Sequence, residues 1–332
     1  MKSSTVKLTS RGFVAACVCF AAAALLLLAG CGSRQGSGGG SGKMVVGFSQ
    51  MENDGPWRIA ETTSMEEEAR KRADKYELLV SDAQNKTSKQ VSDVEDLVAR
   101  GVKAIFLAPR EFEGLAPALQ AAREANIPVF LVDREAAGTP GVDYVTVLKS
   151  DFVDEGKRAA EWLVKETNGK ANIVELTGTP GSSVARDRSQ GFWDVINQHP
   201  EMKKLASQTA DFNRANALNV MGNIIQAHGK AITVVYAHND EMALGAIQAL
   251  KAAGMQPGTE VLIVSIDGQK SALEAIMRGE MNVTVECNPR FGPLAFDALE
   301  RHLRGEKLPP QIINQDRFFD KTNAAQFVNE AY

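Results

Sequence analysis

Val234-Val235-Tyr236-Ala237-His238-Asn239-Asp240-Glu241-Met242-Ala243-Leu244-Gly245-Ala246 opens as an apolar, β-branched strand and breaks into a polar cluster. It then resumes as a helix whose apolar positions are Met242, Leu244, Ile247 and Leu250. The stretch is a βα turn. In an open parallel sheet such turns lie at the carboxyl ends of the strands, where ligands bind, which would turn His238, Asn239 and Asp240 toward a crevice. An Asn or Asp ahead of a helix also satisfies orphan backbone donors with no ligand present, so this turn alone leaves both readings open. Repetition favours the first, because several other strands end in the same way.

Outward from this turn, the chain alternates strand and helix from Met44 onward. Strand 44–48, helix 57–76, strand 77–81, helix 88–100, strand 104–108, helix 115–125 and strand 128–132 come first. Short strands such as Ala104-Ile105-Phe106-Leu107 are apolar throughout, as strands buried on both faces are. The order is that of a doubly wound parallel sheet. After Ser150 the alternation restarts: helix 155–166, strand 172–175, helix 189–197, strand 205–210, helix 215–226, strand 233–236, helix 242–253 and strand 261–265. Helix 270–278, strand 283–286 and helix 292–302 follow, then extended residues 311–314. We expect two α/β lobes with a cleft between them, residues 44–150 with 287–315 and residues 151–286 with 316–332. If the last unit returns to the first sheet, the lobes share three crossing segments, which suits hinge bending about a ligand.

At 332 residues and 44% hydrophobic content, the chain is long enough for one large or two medium cores. Residues 1–30 have the form of a targeting segment: Lys2, Lys7 and Arg11 precede an apolar run from Gly12 to Ala29, closing in Leu28-Ala29-Gly30-Cys31. Small residues before a cysteine resemble the lipobox of bacterial lipoproteins, in which cleavage leaves Cys31 as a lipid-carrying N-terminus. An uncleaved span is the alternative, since about 18 apolar residues can just cross a bilayer. Residues 31–43, rich in Gly and Ser, read instead as a flexible tether. Removing the first 30 residues moves the formal charge from −4 to −7, and a mildly acidic body argues against nucleic acid as a partner. Cys17 and Cys19 leave with the signal and Cys31 would be acylated, so Cys287 has no intrachain disulfide partner and reads as a small apolar residue. His199, His228, His238 and His302 lack ligand spacing, and neither a metal nor another cofactor is expected.

The residues that follow the strands are not ordinary loop residues. Ser49-Gln50 is followed by Trp57-Arg58; later strands end in Asp133-Arg134, Ala185-Arg186-Asp187-Arg188, Asp211-Phe212-Asn213-Arg214, His238-Asn239-Asp240, Asp267-Gly268 and Glu286-Cys287-Asn288. Carboxylates, guanidinium forks and amides converging on one cleft fit a neutral, polyhydroxylated ligand. Each sugar hydroxyl both donates and accepts, so an Asp beside an Arg holds neighbouring hydroxyls through charge-assisted bonds. Flat aromatic side chains, here Trp57 and Phe212, cover the C–H face of a ring.

In combination, Phe48-Ser49-Gln50 with Trp57-Arg58, Ala108-Pro109, Asp133-Arg134, Arg188-Ser189-Gln190-Gly191-Phe192, Asp211-Phe212-Asn213-Arg214, Ala237-His238-Asn239-Asp240 and Ser265-Ile266-Asp267-Gly268 resemble the ribose-type (type I) periplasmic sugar-binding proteins of ABC importers. The resemblance spans about residues 44–315 and is nearest to the galactofuranose-binding members. It implies two doubly wound parallel-sheet lobes joined by a three-strand hinge. It also implies an extracytoplasmic solute-binding lipoprotein that carries a monosaccharide, galactofuranose or a related galactose or pentose furanose, to a membrane permease. Trp57 and Phe212 would be the stacking faces, and Arg58, Asp133, Arg134, Arg188, Asn239, Asp267 and Glu286 the hydrogen-bonding ring. A monomer is implied, with the sugar, the permease and, through its lipid, the membrane as partners. Ribose binders carry phenylalanines at the position of Trp57-Arg58 and an amide at that of Glu286, departures that point away from ribose.

Two rivals find little support. A glycosidase could use a pair among Asp133, Asp240, Asp267 and Glu286, but the neighbouring arginines would keep such acids ionised and spoil a general acid. A sugar-responsive repressor would need a helix-turn-helix and a basic face, and an export signal stands in their place. A chemosensory or quorum-signal sugar receptor on the same scaffold stays open.

Overall fold

The computed structural model describes residues 42–332, so the targeting segment, Cys31 and most of the tether lie outside the described residues. The first half of the chain forms β1 (Met44–Gln50), α1 (Pro56–Lys71), β2 (Tyr76–Asp82), α2 (Thr87–Ala99), β3 (Ile105–Leu107), α3 (Ala116–Glu124), β4 (Val129–Val132) and β5 (Thr146–Lys149). Then come α4 (Phe152–Thr167), β6 (Ala171–Thr177), α5 (Ser183–Ile196), β7 (Met202–Thr209), α6 (Arg214–His228), β8 (Val234–Ala237), α7 (Asp240–Ala252) and β9 (Leu262–Asp267). The chain closes with α8 (Lys270–Met277), β10 (Val283–Glu286), α9 (Gly292–Leu303), β11 (Gln311–Ile313), β12 (Phe318–Asp320) and α10 (Ala324–Phe327).

Two six-stranded sheets result, ordered β2-β1-β3-β4-β5-β11 and β7-β6-β8-β9-β10-β12. Every pairing is parallel except that of β10 with β12. Side chains alternate across each strand, and here both faces are apolar. In β8, Val234 and Tyr236 pack with α4 and α5, while Val235 and Ala237 pack with α6, α7 and α8. In the first sheet, Phe48, Phe106 and Phe130 meet α1 and α9, while Ile105, Leu107 and Leu131 meet α2 and α3. Helices therefore cover both faces of both sheets, as all-parallel strands require.

The chain passes between the sheets three times: after β5, after β10, and between β11 and β12. The sequence pattern read 283–302 as one βα unit, yet β10 stays in the second sheet and α9 packs on the first. Helix α5 begins at Ser183, six residues before the expected start at 189. Ser182 supplies the missing signal: its hydroxyl accepts from the Ala185 N–H at 3.2 Å and caps a helix that then runs through Arg186-Asp187-Arg188. Close approach of α4 and α5 depends on Gly156 and Gly191, where a Cβ would lie 2.3 Å from the Arg188 carbonyl oxygen and 2.0 Å from that of Val153. That contact sets Glu155 against Arg188.

Candidate functional site

The cleft lies at the carboxyl ends of both sets of strands. Its walls are Glu52, Trp57, Arg58, Asp133 and Arg134 from the first lobe and Val184, Arg188, Phe212, Asn239, Glu241 and Asp267 from the second, with Cys287 at the second crossing. The cavity measures about 70 Å³. That is several times the roughly 10–15 Å³ a cavity needs to hold one water, room for a small ligand.

The first-lobe half is organised by Asp133, which ends β4 in the left-handed region with φ 64°. Its Oδ2 accepts from Arg58 Nη2 at 2.7 Å, and Arg58 Nη1 donates to Glu61 Oε2 at 2.8 Å. Gln50 Nε2 donates to the same Glu61 oxygen at 2.8 Å. The Arg58 guanidinium lies 4.5 Å from the centre of the Trp57 ring, and the Trp57 indole N–H donates to the Cys287 carbonyl at 2.9 Å, so the ring plane is fixed from two sides. Arg134 donates through Nη1 to the Arg110 carbonyl at 2.7 Å, while its buried Nε has no hydrogen-bond partner. Burial and the Arg58 charge press the Arg134 pKa downward. A buried donor without a partner is costly, and a ligand oxygen would satisfy it.

In the second-lobe half, Arg188 donates through Nε to Glu155 Oε2 at 2.7 Å and through Nη2 to Asp267 Oδ1 at 3.4 Å. Burial pushes the Glu155 carboxyl up to about 8 and that of Asp267 well up, against the opposing pull of Arg188. One guanidinium neutralises one carboxylate, so between them these two acids retain a proton, and the expectation that neighbouring arginines keep Asp267 ionised is overturned by its burial. Asn239 caps α7, its Oδ1 accepting from the Met242 N–H at 2.9 Å, while its Nδ2 donates to the Phe212 carbonyl at 3.3 Å. Asp211 and Phe212 are both left-handed, with φ 56° and 55°. The Phe212 ring lies against Gly178, where a Cβ would fall 1.9 Å from its Cζ. Arg58, Arg134 and Arg188 are thus opposed by Glu61, Asp133 and the single charge on the Glu155–Asp267 pair, with Glu52 and Asp54 as further acids on the wall, so the cleft offers no surplus of positive charge. Glu241 at the rim is held by Arg214 at 2.6 and 3.0 Å. The balance favours a ligand with many hydroxyls and no charge.

Eight of the nine residues expected at the site line this cleft: Trp57, Arg58, Asp133, Arg134, Arg188, Phe212, Asn239 and Asp267. Glu286 does not. Its carboxylate accepts from the Arg317 backbone N–H at 2.9 Å and from Arg317 Nε and Nη2 at 2.8 and 2.7 Å, which ties β10 to the approach of β12. Asp240 is also away from the cleft: buried between β8, β9 and β10, it accepts from Thr284 Oγ1 and the Gln269 N–H at 2.8 Å. His238 lies behind the wall. Its Nε2 is 3.1 Å from Glu175 Oε1, its Nδ1 accepts from the Gly178 N–H at 3.5 Å, and burial lowers its pKa. The sequence reading missed Glu52, Glu61, Glu155 and Glu241. Glu61 was within reach, one helical turn beyond Arg58; Glu155 was not, since only the α4–α5 crossing brings it to Arg188. Among the described residues, no group of three or more His, Cys, Asp or Glu side chains is placed to hold a metal ion.

Two doubly wound lobes closing a polar, aromatic-walled cleft at their facing strand ends define a bilobal binding protein. Residues 46–307 match the periplasmic binding protein domain, and the chain belongs to that family. It is 44% identical over 272 residues to the galactofuranose-binding protein YtfQ of Escherichia coli (strain K12), covering 81% of this chain and 85% of that one. The crystal structure of a galactofuranose binding protein superposes with a TM-score of 0.84 at 42% identity, covering 86% of this chain and 98% of the other. The binding component of the arabinose ABC transporter from Shewanella sp. ANA-3, bound to α- and β-L-arabinofuranose, gives 0.83 at 39% identity, covering 86% and 95%. The chain is accordingly a binding protein and not an enzyme. No helix among the described residues is long and apolar enough to cross a membrane.

Proposed function

We propose that this chain is the sugar-binding component of an ABC importer. It takes one monosaccharide in furanose form, galactofuranose or a related galactose or pentose furanose, and hands it to the permease. The observation that carries this reading is the set of paired charges, Arg58 and Arg134 with Asp133 from one lobe and Arg188 with Asp267 from the other, which lines one small cavity together with Trp57 and Phe212. The furanose preference is supported by the relatives named for galactofuranose and the one bound to arabinofuranose. Residues 44–150 with 287–315 and residues 151–286 with 316–332 act as two bodies that hinge at the three crossings, and contacts from both to one sugar favour the shut form. The mature protein is a monomer tethered outside the cytoplasm through a lipid on Cys31.

The test is calorimetry with D-galactose, L-arabinose, D-ribose and methyl β-D-galactopyranoside, whose ring cannot open. Galactose and arabinose should bind, and the locked pyranoside should not. Binding by none of the four overturns the reading, and tight binding of the pyranoside overturns the furanose preference. Cys31→Ser should move the protein from the membrane fraction to the soluble fraction of expressing cells; continued membrane partition would refute the lipid anchor.

A further inference from the structure

Beside the ligand cleft, four charged side chains close a ring across the lobes. Glu135, after β4, and Lys149, at the end of β5, belong to the first lobe; Arg186 and Asp187, near the start of α5, belong to the second. Lys149 Nζ lies 2.7 Å from Glu135 Oε1 and 3.8 Å from Asp187 Oδ2. Arg186 lies 3.4 Å from Glu135 Oε2 through Nη2 and 2.6 Å from Asp187 Oδ1 through Nε. Each cation therefore meets both anions. Two further bonds join the same edges: the Phe112 N–H donates to the Gly181 carbonyl at 2.9 Å, and the Glu135 N–H to Ser183 Oγ at 3.0 Å. The Arg186 guanidinium also lies 5.3 Å from the centre of the Phe112 ring. None of these residues lines the ligand cleft.

We propose that this ring is a clasp that sets affinity for the sugar, with Glu135 and Arg186 as positioning residues that never touch it. The inference rests on the proposed function, in which closure captures the ligand. A ligand that binds only the shut form has an apparent Kd raised by the scarcity of that form in the free protein. Contacts that hold the lobes together without ligand raise the shut fraction and so lower the apparent Kd of every sugar by one common factor. A cleft residue acts differently, because it changes the ranking of sugars. The Lys149 and Asp187 side chains are only 8% and 9% exposed, so their charges are weakly screened, whereas Arg186 at 52% feels the salt. The clasp should therefore weaken as ionic strength rises.

Arg186→Gln, Glu135→Gln and the double variant test this by calorimetry with galactose and arabinose at low and high salt, and by small-angle scattering of the sugar-free protein. Each single change should raise Kd about three- to tenfold for both sugars in the same ratio, and the double variant should cost less than the product of the two, since the first already opens the ring. High salt should weaken the wild type more than either variant. Unchanged affinity, or a reordering of the two sugars, overturns the clasp. If the wild type binds no sugar, the proposed function fails, and the sugar-free scattering still decides. Low-salt compaction that is lost in the variants supports the clasp, and identical profiles overturn it.

Discussion

Asp133 carries the first-lobe half of the cleft because one carboxylate there meets two guanidinium groups, Arg58 at 2.7 Å and Arg134 at 3.6 Å. Asp133→Ala removes an acceptor for sugar hydroxyls and leaves two buried cations side by side, which should weaken sugar binding by about 2–4 kcal/mol. Undiminished affinity by calorimetry would place the sugar elsewhere. Gly178 matters for a different reason: its Cα faces the Phe212 ring, and a methyl group 1.9 Å from Cζ cannot be accommodated without displacing the aromatic wall. Gly178→Ala should cost about 1–3 kcal/mol of stability by overpacking and also lose sugar affinity as Phe212 shifts. Crystals of the variant with Phe212 unmoved would contradict that account.

At the scale of elements, the turn from β8 to α7 shows that capping and ligand binding need not compete. Asn239 caps with Oδ1 and presents Nδ2 beside the cleft. Asn239→Asp keeps the capping oxygen but sets a carboxylate oxygen against the Phe212 carbonyl in place of a donor, so affinity should fall. Asn239→Ala should lose affinity and also about 0.5–2 kcal/mol of stability in urea melts. Unchanged stability in Asn239→Ala would show that the cap is not what Oδ1 provides. Long alternating segments were legible from their apolar periodicity, and so were the polar strand ends, because both are local patterns. Strand β5 and strand β12 were not. No helix separates β5 from β4, so the alternation that marks the other short strands gives no signal there, and β12 exists only by antiparallel pairing with β10. Glu286 was misplaced for the same physical reason: its partner Arg317 is 31 residues away, and no spacing rule joins the two.

For the whole molecule, the buried carboxyl groups around the cleft and the crossings set how stability depends on pH. Burial pushes Glu155 up to about 8, Asp240 to about 7, and Glu61 and Asp316 to about 6. A carboxyl raised in this way keeps its proton in the folded state at pH values where the unfolded chain, titrating near 4, has released it. The folded protein then binds more protons than the unfolded one, and stability falls as pH climbs through that interval. His238 acts in the opposite sense. Burial lowers its pKa, so around pH 6.5 the unfolded chain binds the extra proton and stability rises with pH. On the acid side, burial raises Glu175 but bonds from His238, Ser207 and Ser189 outweigh it and hold the group near 2, so the stability it contributes is lost as pH drops below about 4.5. These four carboxyl groups, with Asp267 and Glu52 raised by burial as well, outweigh one histidine and give a net decline from pH 5 to pH 8, with the optimum on the acid side of neutral. Urea midpoints should accordingly be higher at pH 5 than at pH 8, and Glu155→Gln, which cannot ionise, should flatten the upper part of that slope. A wild-type midpoint that rises from pH 5 to pH 8 would mean that Glu155 is ionised against Arg188 throughout, and that the pair with Asp267 retains no proton.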